Sequence, residues 1–384
     1  MDFDFDHPPE RRGTDSVKWS RYAGRDVLPL WVADMDFAVA PAIVEALQRR
    51  VAHGVFGYAE PWPSLVEATL GHLEAEYAWR VDPAWLTWLP GLVTGLNVAC
   101  RAAGGGAFTA TPIYPPFLTA PGRLSTAPLR RGAERWEWDL HAVESALDAE
   151  TRLFMLCHPH NPVGRAWEEA ELQAIDELAA RRGLIVCSDE IHCGLLLDEG
   201  RRHQPYATLS PGAAARSITL MAPSKTFNLP GLGCAFAVIP DEGLRRRFRR
   251  AMRGIVPHVN LLGLVACEAA FRDGGAWHRA LIEYLRGNRD RVAAAVAAEP
   301  GLRTTPVEAT CLAWIDAGGT GLDHPQAHLE TFGVGLSDGR DFAPRGLSDG
   351  FVRLNFGCSR ALLDEALARL HDALAPGARA TIAR

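Results

Sequence analysis

Beyond residue 85 the chain alternates short apolar runs with stretches of helical period. The runs are LTWLP (86–90), AFTAT (107–111), RLFMLC (152–157), GLIVCSD (183–189), SITLMAPS (217–224) and CAFAVIP (234–240). Helical spacing falls between them, near 91–103, 115–122, 139–149 and 168–182. Such continuous apolar runs suit strands buried on both faces. The pattern therefore predicts an α/β protein, with a mostly parallel central sheet and helices on both sides. Upstream, Pro41 opens an amphipathic helix closed by Gly54, and a second helix covers roughly 63–79. After 240 the rhythm changes. Helical stretches at 241–253, 258–273 and 276–298 precede the strand CLAWID (311–316), a helix at 323–332, the strand GFVRLNF (350–356) and a helix at 359–374. This second pattern predicts a smaller α+β domain. The first forty residues read as an irregular arm. The expected division is 1–45 for the arm and part of the small domain, 46–255 for the large domain, and 256–384 for the small C-terminal domain.

Composition narrows the function classes. The 384 residues are 48% hydrophobic and 22% charged, as in a soluble globular protein, and the net charge of −6 argues against a nucleic-acid or anionic-membrane surface. The one basic run, RRRFRR at 245–250, follows PDEG and reads as a solvated helix face. No signal peptide and no membrane-length apolar run is seen, so a cytoplasmic location is expected. The eight cysteines are scattered through apolar segments, as buried reduced thiols would be. Two clusters, Cys157-His158-His160 and Cys187-His192-Cys193, lack the paired spacing of a zinc site, and no metal is expected. No strand-GxGxxG-helix unit supports a nicotinamide cofactor.

In open α/β sheets ligands sit beyond the carboxyl ends of the strands. The residues at those ends form a chemical set. LTWLP leads to GLVTG, a helix start whose free backbone N–H groups at Leu92 and Val93 suit a phosphate. AFTAT leads to Tyr114, RLFMLC to Asn161, and GLIVCS to Asp189 with His192 three residues on. SITLMAPS leads to Ser224 and Lys225. Lys225 and Lys18 are the two lysines in a chain with 40 basic residues. A Schiff base to an aromatic aldehyde phosphate needs this set. Burial lets a lysine lose its proton and act as nucleophile and base, whereas arginine stays charged.

The motifs SDEIH (188–192) and APSKTFNLPGL (222–232) lie between NPVG (161–164) and GFVRLNFGCSR (350–360). Together they resemble the fold-type-I pyridoxal-phosphate enzymes of the class I/II aminotransferase superfamily. VKW, WVADMDFA, GVFGY and PIYPPF point within it to the cystathionine β-lyase (MalY/PatB) branch. The resemblance runs from about residue 3 to the C-terminus. It implies the type I transferase fold and pyridoxal 5'-phosphate as cofactor. It also implies that Lys225 holds the cofactor and removes the substrate Cα proton, and that Asp189 pairs with the ring nitrogen. Tyr114 would stack on the ring, with Asn161 and His192 near its phenolic oxygen. Leu92, Val93 and Ser224 would meet the phosphate, and Arg353 would clamp the substrate α-carboxylate. Tyr58 would reach the phosphate of a neighbouring subunit, which implies a homodimer with a shared active site.

Some positions depart from the family pattern. Ala222 and Gly233 stand where a hydroxyl and an arginine often hold the phosphate, leaving Ser224, Thr226 and Tyr58 as candidates. Gly194 replaces a usual acidic residue, and His158 is atypical. The expected reaction is β-elimination from a small amino-acid substrate, cystathionine or another cysteine S-conjugate, to a thiol, pyruvate and ammonia. The alternatives are transamination, a tailoring lyase for a bulky S-conjugated metabolite, and a partner-binding regulator that keeps the fold.

Overall fold

The computed structural model describes residues 3–132 and 134–375. Seven strands form the main sheet, in the order Leu86–Leu89, Ala235–Val238, Ser217–Met221, Ile185–Asp189, Thr151–Cys157, Gly106–Thr111, Leu124–Pro128. Ala235–Val238 runs antiparallel to both neighbours, and the other pairings are parallel. Side-chain alternation explains the double coating of this sheet. Leu153, Met155, Cys187, Ile218 and Leu220 pack with Leu96, Leu244 and Phe248 of the helices Leu92–Ala103 and Glu242–Met252. Phe154, Leu156 and Val186 turn the other way, onto Leu172, Ile175 and Leu178 of the helix Glu169–Arg182. That helix opens with a capping box between Glu168 and Glu171 and ends at Gly183, which adopts the left-handed conformation.

A four-stranded sheet, Arg303–Thr304, Leu312–Asp316, Phe351–Asn355 and Ser337–Asp338, carries the Arg353 strand. Its core includes Leu312, Ile315, Val352 and Leu354. Phe5, Leu28, Leu30, Met35 and Phe37 of the N-terminal arm belong to the same core. The arm is not wholly irregular. It has a helical turn at Val17–Ser20 and a strand, Leu28–Pro29, parallel to Val334–Gly335. Among the described residues no helix is long and apolar enough to cross a membrane.

Most expected helices form within a few residues of their predicted ends, and four of them are capped by the side chains of Asp139, Asp241, Asn260 and Ser359. Three local expectations change. The helix at 115–122 is a single turn, Pro116–Thr119. The edge strand Leu124–Pro128 was unexpected. Its residues LSTAP are mostly half-exposed, so the apolar signal of a central strand is missing. The short hairpin Arg130–Arg131 with Trp136–Glu137 was also unexpected.

One close approach makes a local stability test. On the helix Leu261–Asp273, a Cβ at Gly263 would collide with the Leu232 carbonyl oxygen and lie 3.2 Å from the Cys234 Cβ. Gly263→Ala should therefore lower the melting temperature, although alanine is the better helix former. The overpacking cost, about 1–3 kcal/mol, exceeds the propensity gain of about 1 kcal/mol. Thermal unfolding followed by circular dichroism checks this; a melting temperature at or above that of the parent chain contradicts it.

Candidate active site

The carboxyl ends of five main-sheet strands converge on a cavity of about 290 Å³. Leu92, Val93, Tyr114, Asn161, Asp189, His192, Ser224, Lys225 and Arg353 all line it. Nine of the ten residues expected at the site are thus brought together. The tenth, Tyr58, is fully exposed and lies outside the cavity.

Each wall follows from local folding. Asp189 ends its strand, and its Oδ1 accepts the Ile191 N–H at 3.1 Å. Its carboxyl makes no ion pair among the described residues. Burial lifts it to about 7, the amide of Ile191 and the charge of Lys225 working against that rise. Lys225 lies in the turn after Ser217–Met221. Its Nζ donates to the Ala33 carbonyl at 2.7 Å. Burial holds its pKa below the usual lysine value, opposed by the nearby Cys311, Asp34 and Asp189. Three residues further on, Asn228 adopts a positive φ of 56°. There its side chain binds Met35 N and the carbonyls of Met35 and Phe37. Asparagine tolerates this conformation better than most residues.

Arg353 is buried with no carboxylate partner. Nη1 donates to Asn161 Oδ1 at 3.0 Å. Nη2 donates to the Trp31 carbonyl at 2.8 Å and Ser337 Oγ at 3.2 Å. Its guanidinium carbon lies 4.8 Å from the Phe342 ring centroid, and Nε has no partner. Burial depresses its pKa to about 10. His192 is neutral. Burial, then the charges of Lys225 and Arg353, push it down to about 3, and its buried Nδ1 has no partner. Gly91 precedes the helix Leu92–Ala103 without any side-chain cap, so the first N–H groups of a 12-residue helix start at the cavity wall.

This arrangement offers a nucleophilic amine, a buried carboxyl, a buried guanidinium without a counter-ion and an anion-attracting helix start. The sequence profile of the aminotransferase class I and II family matches residues 25–370. The chain belongs to that family. Among its family relatives is cystathionine β-lyase PatB of Bacillus subtilis (strain 168), 38% identical over 387 residues, with 96% of this chain and 99% of PatB aligned. The crystal structure of OvoB superposes with a TM-score of 0.94 at 48% identity, covering 98% of this chain and all of that one. Cystalysin from Treponema denticola, whose structure contains pyridoxal 5'-phosphate, gives a TM-score of 0.91 at 28% identity, with 97% and 99% covered.

The departures from the family pattern also find their places. Thr226, a hydroxyl the sequence offers to a phosphate, does not line the cavity. It packs behind it against Gly194, where any Cβ would collide with the threonine side chain. His158 lies off the cavity, its ring 4.4 Å from that of His203 and its Nε2 3.1 Å from the Gln204 carbonyl. Ala222 and Gly233 do line the cavity. Among the described residues no group of three His, Cys, Asp or Glu could hold a metal. Sequence reasoning missed Val32 and Ala33, which bring arm backbone to the cavity wall. The motif WVADMDFA marked the segment, but a backbone acceptor has no residue-type signature.

The lifted Asp189 carboxyl has a direct consequence. In the folded, ligand-free chain it binds its proton up to about pH 7, whereas in the unfolded chain it releases it near 3.8. Between those values the folded state carries the extra proton, so stability falls as pH rises. Asp189→Asn should remove this slope. The variant should match the parent near pH 4 and exceed it above pH 7, by up to a few kcal/mol. Urea unfolding across pH 4–8 tests this, and parallel curves for the two proteins would contradict it.

Proposed function

We propose that this chain is a pyridoxal 5'-phosphate-dependent carbon–sulfur β-lyase. It acts on cystathionine or another cysteine S-conjugate and releases a thiol, pyruvate and ammonia. The observation that carries the reading is the pairing, in one cavity, of a half-buried lysine with a buried arginine that has no carboxylate partner among the described residues. A buried guanidinium without a counter-ion is costly, and an α-carboxylate would complete it with two-point hydrogen bonds. The relationship to PatB and the cofactor of cystalysin support the same reading.

The residues present fit the cofactor. Asp189 is a buried carboxyl awaiting a cationic partner, such as a protonated ring nitrogen, and His192 Nδ1 and Arg353 Nε are buried polar atoms without partners. When bound, the cofactor supplies a ring that takes up the electron pair left at Cα after proton loss. Lys225 would hold it covalently and, once displaced by the substrate amine, take the Cα proton. Asp189 would keep a proton on the ring nitrogen. Tyr114 would cover one ring face. Asn161 can give its amide N–H to the ring's oxygen, because its Oδ1 is already occupied by Arg353. His192 is neutral and serves there as a hydrogen-bonding group. Leu92, Val93 and Ser224 would meet the phosphate.

The reading includes a homodimer in which Tyr58 reaches the partner's phosphate. Tyr58 is exposed, as are Val55 and Phe56 on the same segment and Val93 at the helix start. Apolar exposure of this kind suits a subunit contact. Residues 46–255 would form the cofactor-binding domain, with 1–45 completing the small domain of 256–384. A cytoplasmic setting accords with eight cysteines carried as free thiols.

Incubation with L-cystathionine and with an S-alkyl cysteine should yield pyruvate and free thiol in equal amounts with no keto-acid acceptor added. Amino transfer to a keto acid with neither product would overturn the lyase assignment. Arg353→Ala should raise KM for L-cystathionine about tenfold to a hundredfold, the worth of a charge-assisted hydrogen bond. An unchanged KM would remove Arg353 from the substrate site. Tyr58→Phe should weaken cofactor retention about tenfold or more, measured by dialysis and cofactor absorbance. Retention equal to the parent's would mean that another group holds the phosphate.

A further inference from the structure

Lys18, the other lysine of the chain, is buried, with a side chain that exposes none of its surface. Its Nζ donates to Asp36 Oδ2 at 2.8 Å and to the Asp34 carbonyl at 3.3 Å. Asp36 Oδ1 accepts from Arg11 Nη1 at 2.8 Å and Trp19 Nε1 at 3.0 Å, and Arg11 Nη2 reaches Asp34 Oδ2 at 2.7 Å. Two cations and two carboxylates thus balance beneath residues 31–37. Lys18 finds two acceptors here, which suits an ammonium. A guanidinium brings five N–H donors and would leave several without partners.

The segment above this cluster is tied down carbonyl by carbonyl. Arg353 holds the Trp31 carbonyl, Asn355 those of Val32 and Asp34, and Asn228 those of Met35 and Phe37. The Ala33 carbonyl, in the middle, receives Lys225 Nζ. Two of these four holders, Lys225 and Asn228, sit at the Lys225 turn and the other two, Arg353 and Asn355, on one strand, so one strap touches both ends of the site. Lys18 holds the same strap directly, through the Asp36 carboxylate and the Asp34 carbonyl.

We propose that Lys18 and Asp36 are positioning residues for proton transfer at Cα. They fix the strap so that the Ala33 carbonyl takes one N–H of Lys225, which leaves the amine lone pair to point elsewhere in the cavity. Freed from that acceptor, the amine rotates among several directions and spends less time aimed at Cα. The inference rests on Lys225 being the base.

The test follows exchange of the Cα proton of L-alanine with solvent deuterium by NMR, on the holoenzyme, with rates per cofactor-loaded site. L-alanine has no β leaving group, so exchange reports proton transfer alone. Lys18→Met and the double variant Lys18→Met/Asp36→Asn are compared with the parent chain and with Lys225→Ala. In both Lys18 variants the exchange kcat should fall tenfold or more while KM stays within about threefold. Lys225→Ala should exchange no proton. Parental kcat per loaded site, or a loss confined to KM, overturns the positioning role. So does a failure of both variants to fold, which would make the cluster purely structural. A parent chain that exchanges no proton overturns the Lys225 reading itself, and the two failures are thereby told apart.

Discussion

Charge held out of water without a full set of partners is the constraint around which this molecule is arranged. A buried ion costs several kcal/mol unless a partner meets it. Asp189 answers by holding its proton up to about pH 7, and Arg353 answers with neutral acceptors and an aromatic face. Lys225 answers with a carbonyl. None of these is a complete solution within the chain. On the proposed reading the cofactor's ring cation would complete Asp189, its aldehyde would engage Lys225, and the substrate's carboxylate would complete Arg353. The main sheet makes this possible because its parallel strands end together, and short turns then carry each group over the same edge.

The arm is the second half of that arrangement. Its segment 31–37 forms no regular ladder, so its backbone groups must be met by side chains. Asn228 and Asn355 do most of this, one from the Lys225 turn and the other from the Arg353 strand. The arm's apolar residues meanwhile pack into the core of the four-stranded sheet. A displacement of that sheet would therefore be felt at Ala33, and so at Lys225, without any direct contact between the lysine and the moving strands.

How much of this the sequence discloses depends on what kind of group is involved. Lys225, Asp189, Asn161, Tyr114 and His192 were legible because residue type and strand-end position coincide, and either alone would have been weak. Leu92 and Val93 would act through backbone, yet their place at the cavity was legible because a glycine-opened helix start after an apolar run is itself a pattern. Ala33 was not legible, since every residue has a carbonyl and only the fold decides which one faces the cavity. Lys18 was visible as a rare residue, but its partner Asp36 is one of many acidic residues in the first forty, and nothing in spacing joins them. The strand Leu124–Pro128 was missed for the opposite reason. It lies at an edge, where half-exposure erases the apolar run that marks its neighbours.

The departures of this chain from its family bear on the phosphate end of the cavity more than on the substrate end. Gly194 and Thr226 are one packing unit behind the cavity, the threonine leaving no room for a Cβ at 194, and His158 is engaged with His203 and Gln204. None of the three lines the cavity. Ala222 and Gly233 do face the cavity, and there neither supplies a hydroxyl or a charge. On the proposed reading a phosphate dianion would then rely on helix N–H groups, on Ser224 and on a tyrosine from the neighbouring subunit. Helix ends contribute modestly on their own. On that reading the partner's share of cofactor affinity would be larger than in a site with its own arginine. Linkage makes the dependence mutual. If assembly tightens the cofactor, the cofactor tightens the assembly, and both are weakest when either is scarce.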